Sequence, residues 1–162
     1  MPQKVSEPKL PKGLARLAFR APIWLYRARL GWLLGHRFLR LTHTGRKSGR
    51  LRQTVLEMVR YEKATGRCIV ASGWGKKSDW YRNICANPHV KVQVGTLHFD
   101  AVAHRLDAEQ AGEELLNYSH RYPMAFRELE RFMGFRHDGS DEDIRALGAM
   151  IPLFEFIPVS ET

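Results

Sequence analysis

Between Thr42 and Arg52 the chain reads Thr-His-Thr-Gly-Arg-Lys-Ser-Gly-Arg-Leu-Arg, so that four cations (Arg46, Lys47, Arg50, Arg52) and three hydroxyls (Thr42, Thr44, Ser48) surround Gly45 and Gly49. Binding a phosphate or carboxylate calls for such a mixture: forked or point cations, hydroxyl donors, and backbone N–H groups that glycine leaves accessible. The GxxxxGK(S/T) spacing of a Walker A loop is missing and no helix follows directly, so a P-loop is excluded. A solvated basic turn accounts for the same residues equally well.

A second group is Ser72-Gly73-Trp74-Gly75, followed by Asp79, Trp80, Tyr81 and Asn83. Small residues at a strand end let a planar ligand approach the backbone, and the serine hydroxyl can donate to it. Trp80 and Ile84, four apart, also suit a helix packed into a core, which is the better account of Trp80 alone. Tyr118 and Tyr122 share a helical face with Leu115; most such stripes are core, although a phenol beside a pocket can orient a substrate. The seven histidines form no HExxH or comparable ligand pair. No GxSxG, triad order or paired-carboxylate signature supports hydrolysis.

The elements that must carry these residues are legible from periodicity. Arg37 to Thr44 alternates Phe38, Arg40 and Thr42 against Leu39, Leu41 and His43, and GRKSG turns it into a second strand, Arg50 to Tyr61. A third strand, Arg67 to Ser72, leads into the glycine loop, and Ser78 caps a helix from Asp79 to about Ala86. Val90 to Gly95 and Leu97 to Leu106 form a further hairpin. Asp107 with Gln110 is a capping box for a helix to about Arg121. Helices from Pro123 to about Arg136 and from Asp141 to Met150 precede a final strand, Pro152 to Val159. Strands joined by hairpins predict an α+β, mainly antiparallel barrel of about six strands with appended helices, not a doubly wound sheet.

At 162 residues there is room for one domain. Residues 1–12, with Pro2, Pro8 and Pro11, are expected to be a disordered lead-in, 13–36 a basic amphipathic helical segment, and 37–162 the barrel domain. Residues 1–60 hold 14 basic and 2 acidic side chains, which predicts an anionic partner for that end. Two cysteines without a CxxC spacing encode neither a disulfide framework nor a thiolate zinc site. The apolar stretch Ala21 to Gly35 is broken by Arg27 and Arg29 and is short of the roughly 20 residues of a membrane span. A cytoplasmic protein is expected, with peripheral attachment to the inner face of the plasma membrane left open.

The stretches LTHTGRKSGRLRQTVLEMVRY and IVASGWGKKSDWYRNICANPHVKVQVG resemble the deazaflavin-dependent nitroreductase family, actinobacterial-type members of the flavin/deazaflavin oxidoreductase superfamily. The resemblance runs from about Leu41 to Gly95. It implies a split β-barrel that binds reduced coenzyme F420 and passes a hydride to a quinone or nitro compound. Residue by residue, it implies that Arg46, Lys47, Ser48 and Arg52 hold the phosphate and glutamate tail. Gln53, Thr54, Val55, Leu56, Ala71, Ser72, Gly73, Asp79, Trp80, Tyr81 and Asn83 would line the ring and its chain, with Ser72 hydrogen-bonded to the acceptor.

Two departures from the family's pattern bear on the acceptor. A proline and a tyrosine common in its second strand are Val55 and Glu57 here, so the acceptor pocket gains a carboxylate that repels anionic acceptors and, if desolvated, has a raised pKa suited to proton donation. Trp74 adds bulk beside the ring. Ser72, Tyr118, Tyr122 and Glu57 are therefore the candidate catalytic residues. F420 is the expected cofactor, ahead of FMN and haem, with no metal. The expected partners are a quinone-like or nitroaromatic molecule and an anionic membrane surface, rather than nucleic acid. A non-catalytic membrane-surface or ligand-binding protein is the alternative.

Overall fold

The computed structural model describes residues 1–6, 37–73 and 75–160. In chain order the elements are β1 (Gln3–Lys4), β2 (Phe38–Thr44), β3 (Leu51–Glu62), β4 (Arg67–Ala71), α1 (Asp79–Ala86), β5 (His89–Val94), β6 (Leu97–Arg105), α2 (Ala108–Arg121), α3 (Pro123–Met133), β7 (Phe135–Arg136), α4 (Asp141–Ala146) and β8 (Leu153–Pro158). Six of the strands close a barrel in the order β2-β3-β4-β8-β6-β5, and every neighbouring pair is antiparallel. The α+β barrel expected from the sequence is the fold. The basic segment 13–36, residues 7–12 of the lead-in and Trp74 lie outside the described residues.

Alternation along β2 puts Leu39, Leu41 and His43 inside the barrel. They meet Met58, Cys68, Val70, Val90, Val92, Val94, Phe154 and Phe156 from the other strands. A second core lies outside the barrel wall, where Val59, Ile69 and Leu153 pack against Leu115, Phe126, Ile144 and Leu147 of the helical layer. Strand β4 serves both cores, Cys68 and Val70 inward and Ile69 outward, which explains its unbroken apolar run. The register of β3 on β4 shifts between Met58 and Arg60. Alternation puts Met58 in the barrel and Val59 in the outer core, and the bulge leaves Arg60 on the outer side as well, opposite Ile69, so that Tyr61 returns to the barrel side opposite Cys68.

Three boundaries differ from the sequence reading. The first six residues of the stretch expected to be disordered include β1, which pairs with β7 through Gln3 with Arg136 and Lys4 with Phe135. Helix α3 ends at Met133, not near Arg136, because Gly134 takes a left-handed conformation with φ of 75° and turns the chain into β7. The helix expected to reach Met150 stops at Ala146 and continues as a 3₁₀ turn, Leu147–Ala149. The capping box of α2 is formed as expected: the Asp107 carboxylate accepts from the Gln110 N–H at 2.8 Å, and the Asp107 N–H donates to Gln110 Oε1 at 3.1 Å.

The helical layer is held close by glycine. A Cβ on Gly112 of α2 would run into the carbonyl oxygen of Arg145, and one on Gly148 into the backbone of Gly112. Alanine at 112 raises helix propensity by about 1 kcal/mol, yet the overpacking it causes costs about 1–3 kcal/mol. Gly112→Ala is therefore expected to lower the urea midpoint; an unchanged or raised midpoint would show that α2 does not approach α4 this closely.

Candidate active site

Helix α1 plugs one end of the barrel. Its residues 80, 81 and 84 fall on one face, and Trp80, Tyr81 and Ile84 are buried in the barrel core. The Trp80 and Tyr81 rings meet Phe154 edge-on, with centroids 5.8 and 5.2 Å away. This packing delivers Asn83 to the β2–β3 turn. Asn83 Oδ1 accepts from the Arg46 backbone N–H at 3.0 Å and from Arg46 Nη1 at 2.9 Å, while Asn83 Nδ2 lies 3.0 Å from His43 Nδ1.

A backbone N–H can only donate, so the amide atom facing Arg46 is the oxygen and the one facing His43 is the NH₂ group. His43 Nδ1 is thereby an acceptor, and its proton sits on Nε2. The ring is 4% exposed, and burial pushes its pKa down to about 4, with Arg52 adding to the shift and Asp79 opposing it. The turn itself is closed by Gly45 N–H donating to Arg50 O at 2.8 Å and Gly49 N–H to Gly45 O at 2.9 Å.

The anchored turn divides its cations. Arg46 is turned inward onto Asn83, and Asp79 Oδ1 lies 3.4 Å from its Nη1. Lys47, Arg50 and Arg52 are exposed, and among the described residues their side chains have no acidic partner. Ser48 Oγ accepts from the Arg50 N–H at 3.2 Å. A fixed turn bearing three open cations is suited to holding an anion.

Registry decides which strand residues face outward. Leu39 and Leu41 are inside the barrel, and their cross-strand partners Leu56 and Thr54 share that side. Gln53, Val55 and Glu57 therefore lie on the outer surface, a strip leading from the turn towards the far end of β3. Arg52 to Glu57 spans five residues, roughly 17 Å of strand. At the end of the strip Glu57 Oε1 accepts from Arg37 Nη2 at 3.0 Å and from the Tyr118 hydroxyl at 3.3 Å. Tyr122 closes the group, its ring 5.8 Å from that of Tyr118. Together with Arg60, Lys63 and Arg121 these residues line a pocket of about 190 Å³. Burial, then the neighbouring Glu57, raises the Tyr118 pKa and keeps the phenol protonated.

Three of the four candidate catalytic residues thus meet in one pocket, and the fourth does not. Ser72 is 0% exposed; its hydroxyl donates to Gly75 O at 2.7 Å and lies 3.3 Å from Ser78 Oγ. It staples its own loop and is closed to an acceptor, a correction to the role expected for it. Trp80 and Tyr81 fill the barrel instead of lining a ligand, because the amphipathic face of α1 needs them there. Ala71 packs against the outer core. A planar group does lie beside Gly73, but it is Phe132 of α3, whose ring edge would meet an added Cβ at 3.0 Å.

Two participants escaped the sequence reading. His43 could have been found, since β2 alternation puts it on the buried side beside a basic turn. Arg37 carried no signal, because its pairing with Glu57 depends on where β2 and β3 register. No group of three or more His, Cys, Asp or Glu among the described residues is placed to hold a metal.

A family model described as F420H(2)-dependent quinone reductase matches residues 18–126. The chain is similar to a solved structure described as an F420-H2 dependent reductase (FDR-A), at 25% identity over 75% of this chain and 95% of that one, with a TM-score of 0.52. A domain-swapped dimer is similar at 24% identity over 84% and 99% of the two chains, TM-score 0.53. A protein of unknown function from Agrobacterium tumefaciens matches at 15% identity over 96% of this chain and 60% of that one, TM-score 0.54. The last two likenesses show the fold alone.

The His43 geometry fixes a pH dependence. The unfolded chain takes up a proton on this ring near pH 6.5, whereas the folded one resists until about pH 4, so stability is full above pH 6.5 and falls as the pH drops towards 4. The loss over that window amounts to roughly 3 kcal/mol. His43→Asn, which keeps an acceptor for Asn83, is expected to flatten this acid slope, and ring proton NMR should give a midpoint near 4; a midpoint near the ordinary value would refute the Asn83 clamp.

Proposed function

The chain belongs to the F420H(2)-dependent quinone reductase family, and from that premise we propose that the cationic turn and the Glu57 pocket are the two ends of one active site laid along the outer face of β3. The protein is a deazaflavin-dependent oxidoreductase that uses F420H2 to reduce a quinone-like acceptor. The observation that carries the site assignment is the set of open cations on a turn that Asn83 holds still. Their chemistry fits the cofactor's phosphate and glutamate tail, which needs several donors for several negative charges.

Lys47, Arg50, Arg52 and Ser48 would bind that tail, and the half-buried Gln53 and Val55 would contact the remainder. Arg46 acts differently from its expected role: it positions the turn. When bound, F420H2 supplies a hydride to the acceptor. A quinone that gains a hydride needs one further proton to become the neutral hydroquinone. Tyr118 holds a proton on its phenol oxygen, but its raised pKa makes it an orienting donor to Glu57 or to an acceptor oxygen, not a ready acid. Water reaching the pocket past the 45% exposed Tyr122 meets the proton balance.

The acceptor range extends on chemical grounds to nitroaromatics, which are also flat, electron-poor hydride acceptors. The surplus of basic side chains in residues 1–60 supports peripheral docking on anionic lipid; no described helix is long and apolar enough to cross a membrane. Co-sedimentation with anionic vesicles, compared between the full chain and one starting near Arg37, tests this, and equal binding by both argues against it.

Replacing Lys47 and Arg52 together by alanine is expected to weaken F420 binding about tenfold or more without unfolding the protein. Wild-type affinity should fall with added salt, because these contacts are open to solvent. Unchanged affinity in a folded double variant would remove the tail from this turn.

A further inference from the structure

The acceptor end of the site carries more positive charge than its one carboxylate suggests. Four cations line the pocket, Arg37, Arg60, Lys63 and Arg121, against Glu57 alone. Two of the four are already matched. Arg37 sits on Glu57 at 3.0 Å, and Arg60 holds Glu114 at 3.1 Å and Glu62 at 3.4 Å. Glu62 is further engaged by the Thr65 hydroxyl at 2.7 Å and by Arg67 at 3.8 Å, so it does not neutralise its neighbour Lys63.

Lys63 and Arg121 therefore remain without an acidic partner among the described residues. They reach the rim from different elements, Lys63 from the turn after β3 and Arg121 from the last turn of α2. The Arg121 guanidinium lies 6.0 Å from the Tyr122 ring centroid, and Tyr122 in turn rests on Tyr118. A cation–π contact of this kind draws the guanidinium towards the ring while leaving its N–H donors open.

We infer that the acceptor is an anionic quinone, one bearing a carboxylate, sulfonate or comparable group that Lys63 and Arg121 hold at the mouth of the Tyr118–Glu57 pocket. This rests on the reading of that pocket as the acceptor site. It reverses the sequence expectation that Glu57 repels anions: with Arg37 on its carboxylate, Glu57 leaves the two rim cations to set the field. A cleft lined by one sign of charge concentrates ligands of the other, and a quinone ring against Tyr118 and Tyr122 would bring its anionic substituent to the rim.

Calorimetric titration of the F420-bound protein with naphthoquinone sulfonate and with uncharged methylnaphthoquinone tests the inference. The sulfonate is expected to bind about tenfold more tightly, a gap that narrows as salt is added. Lys63→Ala with Arg121→Ala should abolish the preference, and Lys63→Glu with Arg121→Glu should invert it; both pairs are exposed, and a thermal melt checks that the fold is retained. Equal binding of the two quinones by wild type, or a preference that survives the double substitution, overturns the inference. So does a loss of F420 affinity in place of the preference, which would give these cations to the cofactor. Turnover is read separately: a retained preference without F420H2 oxidation by either quinone supports the anion site while defeating the proposed reaction.

Discussion

The Asn83 carboxamide joins helix α1 to the end of β2 and the turn that follows it, far earlier in the sequence, and the arrangement of the turn depends on that junction. Its oxygen takes two donors from Arg46 and its nitrogen faces His43. Each of the three groups alone would be costly to bury. Combined, they satisfy one another, and the network can do so only if His43 is neutral and α1 is seated in the barrel mouth. Packing of Trp80, Tyr81 and Ile84 therefore does more than fill the core. It sets the height at which Asn83 meets the turn, and so the direction in which Lys47, Arg50 and Arg52 project.

Strand β3 connects this junction to the Glu57 pocket. At 12 residues it is longer than its partner β2, which has 7, and its second half pairs with β4 after the bulge at Val59. A continuous pleat would have sent Val59 outward and Arg60 into the barrel. The inserted residue turns Arg60 towards Glu114 on α2 and keeps Tyr61 packed against the barrel core. The pocket at Glu57 consequently has a wall from β3 and a wall from α2, tied by the Arg60–Glu114 pair and the Tyr118–Glu57 hydrogen bond. One strand thus contributes to the barrel, the outer core, the cationic turn and the Glu57 pocket.

The barrel was legible because its signals are periodic: alternation in β2, the turn residues of each hairpin, and the Asp107 capping box all act over short distances. Elements β1 and β7 were not, since two residues carry no period and their pairing joins opposite ends of the chain. The site was half legible for the same reason. Residue type showed that the turn bears cations, but not that Arg46 would fold inward while its neighbours stay open, because that depends on the seating of Asn83. Ser72 illustrates the opposite error. Its place in a motif marked it for chemistry, whereas the loop it closes put the Gly75 carbonyl within reach of its proton and the Ser78 hydroxyl within reach of its oxygen.

What separates structural from binding cations in this protein is whether a carboxylate or carboxamide lies within reach inside the fold. Arg37, Arg46, Arg60 and Arg67 each find one, and each ties two elements together. The turn's other three cations, Lys47, Arg50 and Arg52, find none among the described residues, although they lie within six residues of one another. Like charges held that close repel, and the repulsion is worst in the ordered turn, where the chain cannot spread them apart. The fold tolerates this because Asn83 anchors the turn through the Arg46 backbone N–H and guanidinium, without using the three open cations. An anion bound there would relieve the repulsion as well as make its own contacts, so anion binding and the stability of the turn are thermodynamically linked. The same reasoning explains why the anchor is a neutral amide against a neutral imidazole. A charged group in that place would either cancel the open cations or add to their repulsion.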